Sequence, residues 1–159
     1  MTISIPDNVK IILERLKNAG FEAYCVGGAV RDSIMGVTPG DWDITTSALP
    51  EETRELFKDF RTVDTGLKHG TLTVIIDKTP YEVTTFRIDG EYGDNRHPEN
   101  VTFTSKIGDD LARRDFTINA LAYNEENGLV DLYGGQDDIY NSIRRANMKK
   151  ANKKLKLFT

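Results

Sequence analysis

Cysteine is almost absent from this 159-residue chain, where Cys25 stands alone. One thiol cannot form an intrachain disulfide, and a structural thiolate zinc site needs several. Such cysteine usage suggests a reducing, cytoplasmic setting. Histidine is nearly as scarce: His69 and His97 are the only two. Neither has a partner at metal-ligand spacing, so neither reads as a ligand. No apolar run approaches the roughly 18–20 residues that span a bilayer, so no membrane segment is expected. No basic segment followed by an apolar stretch opens the chain, so no secretory signal is expected. Acid is missing from one region only. Residues 144–159 hold seven Lys and Arg and no Asp or Glu, whereas all 25 acidic residues precede them.

What is present suits one folded domain. Hydrophobic residues make up 38% and charged residues 29%, which supports a packed core rather than disorder. The charge asymmetry divides the chain into an acidic body, 1–143, and a basic tail, 144–159. A basic tail on an acidic body is either a solvated extension or a contact for nucleic acid or another polyanion. The acidic body itself is ill suited to tight, non-specific nucleic-acid binding.

Periodicity sketches the elements. Val9, Ile12, Leu13 and Leu16 recur at helical spacing within 7–19, with Asp7 as a candidate cap and Gly20 as a stop. Phe21 to Val26 reads as a buried strand that runs into a turn at Gly27-Gly28. Short helices are expected at 30–35 and, opened by Pro50, at 50–58. A strand is expected around 42–45. Thr71–Ile76 and Tyr81–Phe86 read as the arms of a hairpin joined by 77–80. Residues 87–100 are polar, rich in turn formers and long for a connection, a combination often found in functional loops. A helix is expected over 107–114, strands over 118–123 and 129–132, and the start of another helix at 135–143.

Three motifs carry chemistry. In Gly27-Gly28-Ala29-Val30-Arg31-Asp32, two glycines after a strand let the backbone approach a ligand closely. The helix that follows offers free N–H groups and the positive end of its dipole to phosphate. Arg31 can clamp phosphate oxygens there. In Asp41-Trp42-Asp43, strand alternation sends both carboxylates to one face and Trp42 to the other. Paired carboxylates suit magnesium, a hard cation that prefers oxygen. Each motif alone is common: a Gly-Gly junction is usually plain, and exposed Asp-x-Asp is usually solvated. Together they supply what nucleotidyl transfer needs, a triphosphate cradle and metal-holding carboxylates at the α-phosphate. The third motif is Arg113-Arg114-Asp115-Phe116-Thr117-Ile118-Asn119-Ala120. Read alone, its charges are helix-surface pairs, Asp109–Arg113 and Asp110–Arg114 at i,i+4, worth a few tenths of a kcal/mol.

The run from Gly27 to Asp32, with Gly36, Pro39 and Asp41-Trp42-Asp43-Ile44, resembles the signature of the class II tRNA nucleotidyltransferase (CCA-adding) and poly(A) polymerase family of the DNA polymerase β superfamily. The resemblance extends from about Phe21 to Ile143. It implies an α+β head domain, with a mixed, mostly antiparallel sheet of about five strands and helices on one face. It implies two Mg²⁺ ions on Asp41 and Asp43, with Glu82 on a neighbouring strand as a candidate third carboxylate. Gly27, Gly28 and Arg31 would hold the triphosphate. Asp115 would accept a hydrogen bond from the ribose 2′-hydroxyl, and Arg114 and Arg113 would fix that aspartate or contact the nucleotide. Residues 87–98, with Arg87, Asp89, Arg96 and His97, resemble the family's flexible loop.

The implied reaction is template-independent addition of CMP and AMP, from CTP and ATP, to the 3′ end of tRNA or another RNA, releasing pyrophosphate. A poly(A) polymerase with the same head, or a nucleotide-binding head that needs a partner, are the alternatives. The family continues into a helical body with a Glu-Asp-x-x-Arg motif that pairs with the incoming base. That motif is missing here, and residues 144–159 do not resemble the family. The body or a partner chain carrying it is therefore an expected partner.

Overall fold

The structure, a computed structural model, describes residues 2–88 and 101–157, with side chains to residue 152. Its centre is a seven-stranded sheet in the order β3-β4-β5-β2-β1-β8-β9. The strands are β1 (Ala23–Val26), β2 (Asp43–Thr46), β3 (Arg61–Gly66), β4 (Thr71–Ile76), β5 (Thr79–Thr85), β8 (Leu121–Asn124) and β9 (Gly128–Asp131). A separate two-stranded ribbon pairs β6 (Arg87–Ile88) with β7 (Thr102–Phe103). All neighbours in the large sheet run antiparallel except β2 and β5, which run parallel. The mixed, mostly antiparallel α+β architecture is as expected, but the sheet has seven strands rather than five.

Among the described residues, five α-helices accompany the sheet: α1 (Asp7–Asn18), α2 (Gly28–Ile34), α3 (Pro50–Leu56), α4 (Ile107–Ala112) and α5 (Gly135–Leu157). In α1 the apolar stripe Val9, Ile12, Leu13 and Leu16 is buried as its spacing demands, but Pro6 rather than Asp7 occupies the cap position. At the start of α3, Pro50 sits in the first turn and the Glu52 carboxylate accepts from the Leu49 N–H at 3.0 Å. At α5, both carboxylate oxygens of Asp131 accept from the backbone, Gly135 N at 2.8 Å and Gln136 N at 3.0 Å. The helix then runs without a break through the basic segment, and residues 141–152 are all exposed.

Strand alternation divides the core between the two faces of the sheet. On the first face, Ala23, Cys25, Ile44, Val74, Val83, Leu121 and Tyr123 meet side chains from α1, α2 and α5, together with Phe57 at the end of α3. Burial pushes the Cys25 thiol up to about 12, so it is inert. On the second face, Tyr24, Val26, Phe86, Ala120 and Ala122 form a smaller cluster with Leu111 of α4. Helices therefore do not all lie on one face: α4 packs against the other.

Two turns differ from the sequence reading for identifiable reasons. The β4–β5 hairpin closes over two residues, Asp77 (φ 51°) and Lys78 (φ 65°), so Thr79 and Pro80 belong to the strand. Two consecutive left-handed residues give the turn twist that suits a tight hairpin. The predicted strand from Ile118 begins only at Leu121, because Thr117–Asn119 form a 3₁₀ turn. That turn packs under α5 so closely that a Cβ on Gly135 would clash with the Thr117 carbonyl oxygen.

Candidate active site

The acidic pair sits where β2 begins. Exposure alternates through the segment: Asp41 exposed, Trp42 buried, Asp43 exposed, Ile44 buried. The two aspartates thus share a face while Trp42 joins the first-face core, as predicted. Strand pairing starts at Asp43, however, so Asp41 lies just ahead of the strand rather than on it. Asp43 is in register with Val26 on β1 and with Glu82 on β5. The parallel β2–β5 pair therefore sets Glu82 beside Asp43 on the second face. A fold built only of adjacent hairpins would not bring residues 43 and 82 side by side.

Electrostatics report this clustering. Although its side chain reaches solvent, the protein around Asp43 strips part of its hydration, and this raises its carboxyl above the usual value. The charges of Glu82 and then Asp41 push in the same direction, while Arg114 opposes them. Carboxylates that repel one another favour a bound cation. Among the described residues, no three His, Cys, Asp or Glu side chains are gathered to hold a metal ion. A pair still fits magnesium, which usually takes one or two protein carboxylates and fills its shell with water and substrate phosphate oxygens.

The glycine turn lies beside the pair. Gly27 has φ 74° and caps α2, and its N–H donates to the Leu121 carbonyl at 3.0 Å. That amide is therefore engaged within the protein rather than offered to a ligand. Two guanidinium groups approach the turn. A Cβ on Gly27 would stand 3.3 Å from Arg114 Nη1, and one on Gly28 would stand 3.4 Å from Arg31 Nη2. The glycines thus leave room for arginines from motifs more than eighty residues apart. Arg31 is braced by Nη1 donating to Asn119 Oδ1 at 2.8 Å and by Nε donating to Asp32 at 3.1 Å. The third motif holds the first in place through Asn119, a link that motif reading missed.

The two arginines of the Arg-Arg-Asp stretch are not free surface charge. Asp110 is fully buried, and Arg113 pairs with it at 3.4 Å rather than with Asp109. Asp109 accepts instead from the Thr104 hydroxyl at 2.8 Å. Arg114 Nη2 lies 3.6 Å from Asp110. Burial pushes the Arg114 guanidinium down from its usual value, against the pull of Asp110. Asp115 is exposed beside Phe116, which is 65% exposed, and the ion pair of Arg114 is with Asp110, not Asp115. Arg87 anchors the ribbon, with Nη1 donating to the His69 carbonyl at 2.9 Å. Asp89, Arg96 and His97 lie outside the described residues. A cleft of about 390 Å³ runs along α1, between Lys10, Lys17, Phe21 and Glu125, and includes none of the candidate residues.

Comparison with known proteins agrees with this arrangement. Residues 23–145 match the Poly A polymerase head domain family. The chain is 55% identical over 128 residues to the CCA-adding enzyme of Geobacillus kaustophilus, covering 80% of this chain and 31% of that protein. It is 51% identical over 135 residues to the CCA-adding enzyme of Streptococcus suis, covering 85% of this chain and 33% of the relative. Among solved structures, the Bacillus stearothermophilus CCA-adding enzyme in complex with CTP superimposes with a TM-score of 0.74 at 42% identity, covering 86% of this chain and 32% of that one. A tRNA nucleotidyltransferase complexed with a primer tRNA and an incoming ATP analog gives 0.63 at 31% identity, covering 81% and 36%. The chain spans about a third of the length of the curated relatives it matches. Over that third, in sequence and in fold, it belongs to the poly A polymerase head domain family.

Proposed function

We propose that this chain is the catalytic head of a template-independent RNA nucleotidyltransferase that adds CMP and AMP, from CTP and ATP, to the 3′ end of tRNA. One observation carries the reading: Asp43 and Glu82 lie in register on parallel strands while Arg31 and Arg114 converge on Gly27-Gly28. Negative groups for a cation and positive groups for a triphosphate thus meet beside the central strands of one sheet. The relatives named CCA-adding enzyme, one solved with CTP, favour this substrate class.

In this reading Asp41 and Asp43 hold Mg²⁺, with Glu82 beside them as a third carboxylate. Bound Mg²⁺ would acidify the attacking 3′-hydroxyl and neutralise charge that develops on the phosphates. Arg31 and Gly28 hold the triphosphate, and Arg31 is kept in place by Asn119. Arg114 adds a second positive charge beside the turn, and Arg113 pairs with the same buried Asp110. Asp115, exposed beyond Arg114, accepts from the ribose 2′-hydroxyl. These groups act by orientation and fixed charge, the main sources of rate in phosphoryl transfer. Reading of the base and grip on the tRNA belong to a helical body or partner chain. Residues 1–143 form the head and 144–159 the basic extension, which fits contact with RNA phosphates. The natural setting of the reaction is the cytoplasm, where tRNA is processed.

Primer extension tests the proposal. The chain is mixed with tRNA lacking its 3′ end, Mg²⁺ and labelled CTP or ATP, beside an Asp41→Ala, Asp43→Ala control. Incorporation that depends on both carboxylates supports a working transferase, and the ratio of C to A reports base selection by the head. Triphosphate binding without incorporation identifies a head that works only with its body. Absence of both overturns the site assignment.

A further inference from the structure

Asp110 is the one charged side chain fully removed from solvent among the described residues. An isolated buried carboxylate is costly, so its partners explain its presence. Oδ1 accepts from the backbone N–H of Arg87 at 3.1 Å and from Arg113 Nε at 3.4 Å. Oδ2 accepts from the Thr45 hydroxyl at 3.3 Å and lies 3.6 Å from Arg114 Nη2. One carboxylate thereby ties α4 to β6 and to β2. Thr45 is two residues beyond Asp43 on the same strand, so its hydroxyl and the Asp43 carboxylate share the second face.

Arg114 is held at one corner only. Nη2 faces Asp110, Nε is buried without a hydrogen-bond partner, and Nη1 points at the Gly27 turn. A buried N–H of a guanidinium left unpaired is unfavourable, and such orphans in native proteins call for an explanation. The buried Nε is out of reach of a ligand, but Nη1 lies beside the glycine turn, where an acceptor supplied from outside can meet the guanidinium. The geometry points to Asp110 as a positioning residue that grips Arg114 from behind and aims its free edge at the phosphates of a bound nucleoside triphosphate. This rests on the site reading proposed above, and adds that Arg114 serves phosphate rather than ribose and depends on Asp110 to do so. Its motif neighbour Asp115 is left as the ribose partner.

Calorimetry on the full chain with CTP and Mg²⁺ tests this, using Asp110→Asn, Arg114→Gln and the double variant. Asp110→Asn keeps the shape and removes the charge. It is expected to weaken CTP about tenfold, the usual scale for removing a group that orients a ligand-binding residue. Cytidine, without phosphates, should bind both proteins alike. The double variant should bind CTP no more weakly than Arg114→Gln alone, since Asp110 acts through that arginine. A merely structural role predicts losses that multiply and that extend to cytidine, and either result overturns the inference, as does unchanged CTP affinity in Asp110→Asn. If Asp110→Asn fails to fold by circular dichroism, Thr45→Val removes only one hydroxyl, and a two- to threefold loss of CTP affinity is then expected, on the order of a neutral hydrogen bond. No change in Thr45→Val would equally sink the idea. If the unaltered chain binds no CTP, the functional reading itself fails, which is distinguishable from failure of the Asp110 assignment.

Discussion

The two faces of the central sheet are built on opposite principles. The first face is packed with aliphatic and aromatic side chains from α1, α2, α5 and the end of α3, and nothing charged is buried there. The second face carries a small apolar cluster under α4, a buried carboxylate, two half-buried arginines, and the carboxylates Asp43 and Glu82. Threonine hydroxyls continue this polar face across the outer strands, with Thr65 to Thr73 at 2.8 Å and Thr71 to Thr84 at 3.0 Å. The difference teaches a division of labour. Stability comes from one side, which leaves the other free to hold like charges close together, a stability cost that binding sites commonly carry.

Substitutions can break that division. The largest effect should follow loss of both aspartates. Asp41→Asn with Asp43→Asn should lower Mg²⁺-dependent incorporation about 10³-fold or more, equivalent to about 4 kcal/mol, and thermal unfolding should show no loss of stability. A melting temperature that fell as far as the activity would erase the distinction between the faces. The converse is Phe57→Ala on the first face. Phe57 is fully buried, and its removal should cost about 3–5 kcal/mol by denaturant titration. The CTP affinity of the folded fraction should stay the same.

A smaller and more specific effect belongs to Asp115. Asp115→Ala should reduce the preference for CTP over dCTP about tenfold, near 1.4 kcal/mol, in competition binding. An intact preference would remove Asp115 from the ribose. The smallest effect concerns pH. Asp43 holds its proton more tightly in the folded than in the unfolded chain, since burial, Glu82 and Asp41 all raise its pKa. The folded state therefore binds the extra proton, and its stability falls as pH rises through that window. At neutral pH the penalty is present, so Asp43→Asn should raise the melting temperature of the metal-free protein by about 1–2 °C. Protons also compete with Mg²⁺ for Asp43. Magnesium-dependent CTP affinity should thus begin to fall above the ordinary carboxylate range as pH is lowered, and titration calorimetry across pH reads this directly.

Much of this was legible in the sequence because local periodicity and turn chemistry carried it. The stripe of α1, the β4–β5 hairpin and the alternation about Trp42 all follow from short-range pattern. The strands that escaped detection had no such pattern. β3, Arg-Thr-Val-Asp-Thr-Gly, is an edge strand with no buried residue and so no apolar alternation. The continuation of α5 beyond 143 bears no apolar stripe, and its lysines and asparagines look the same in a helix as in a loop. The motifs placed the candidate residues but not their partners. Asp110 and Asp109 sit side by side in sequence, and only the packing of α4 under β2 decides that one is fully buried and the other half-buried. Asn119 has no charge to draw attention, yet it braces Arg31 across 88 positions.

The lone parallel pairing of β2 with β5 has a further consequence, for the order in which the molecule can assemble. Hairpins such as β4–β5 close early because their arms are near in sequence. Asp43 and Glu82 come side by side only through the docking of β2 on β5, a pairing distant in sequence. Arg114 and Asn119 arrive later still along the chain. A partly folded intermediate can therefore be rich in native strands and helices and yet hold no site, so nucleotide binding would mark the last step of folding rather than accompany its beginning.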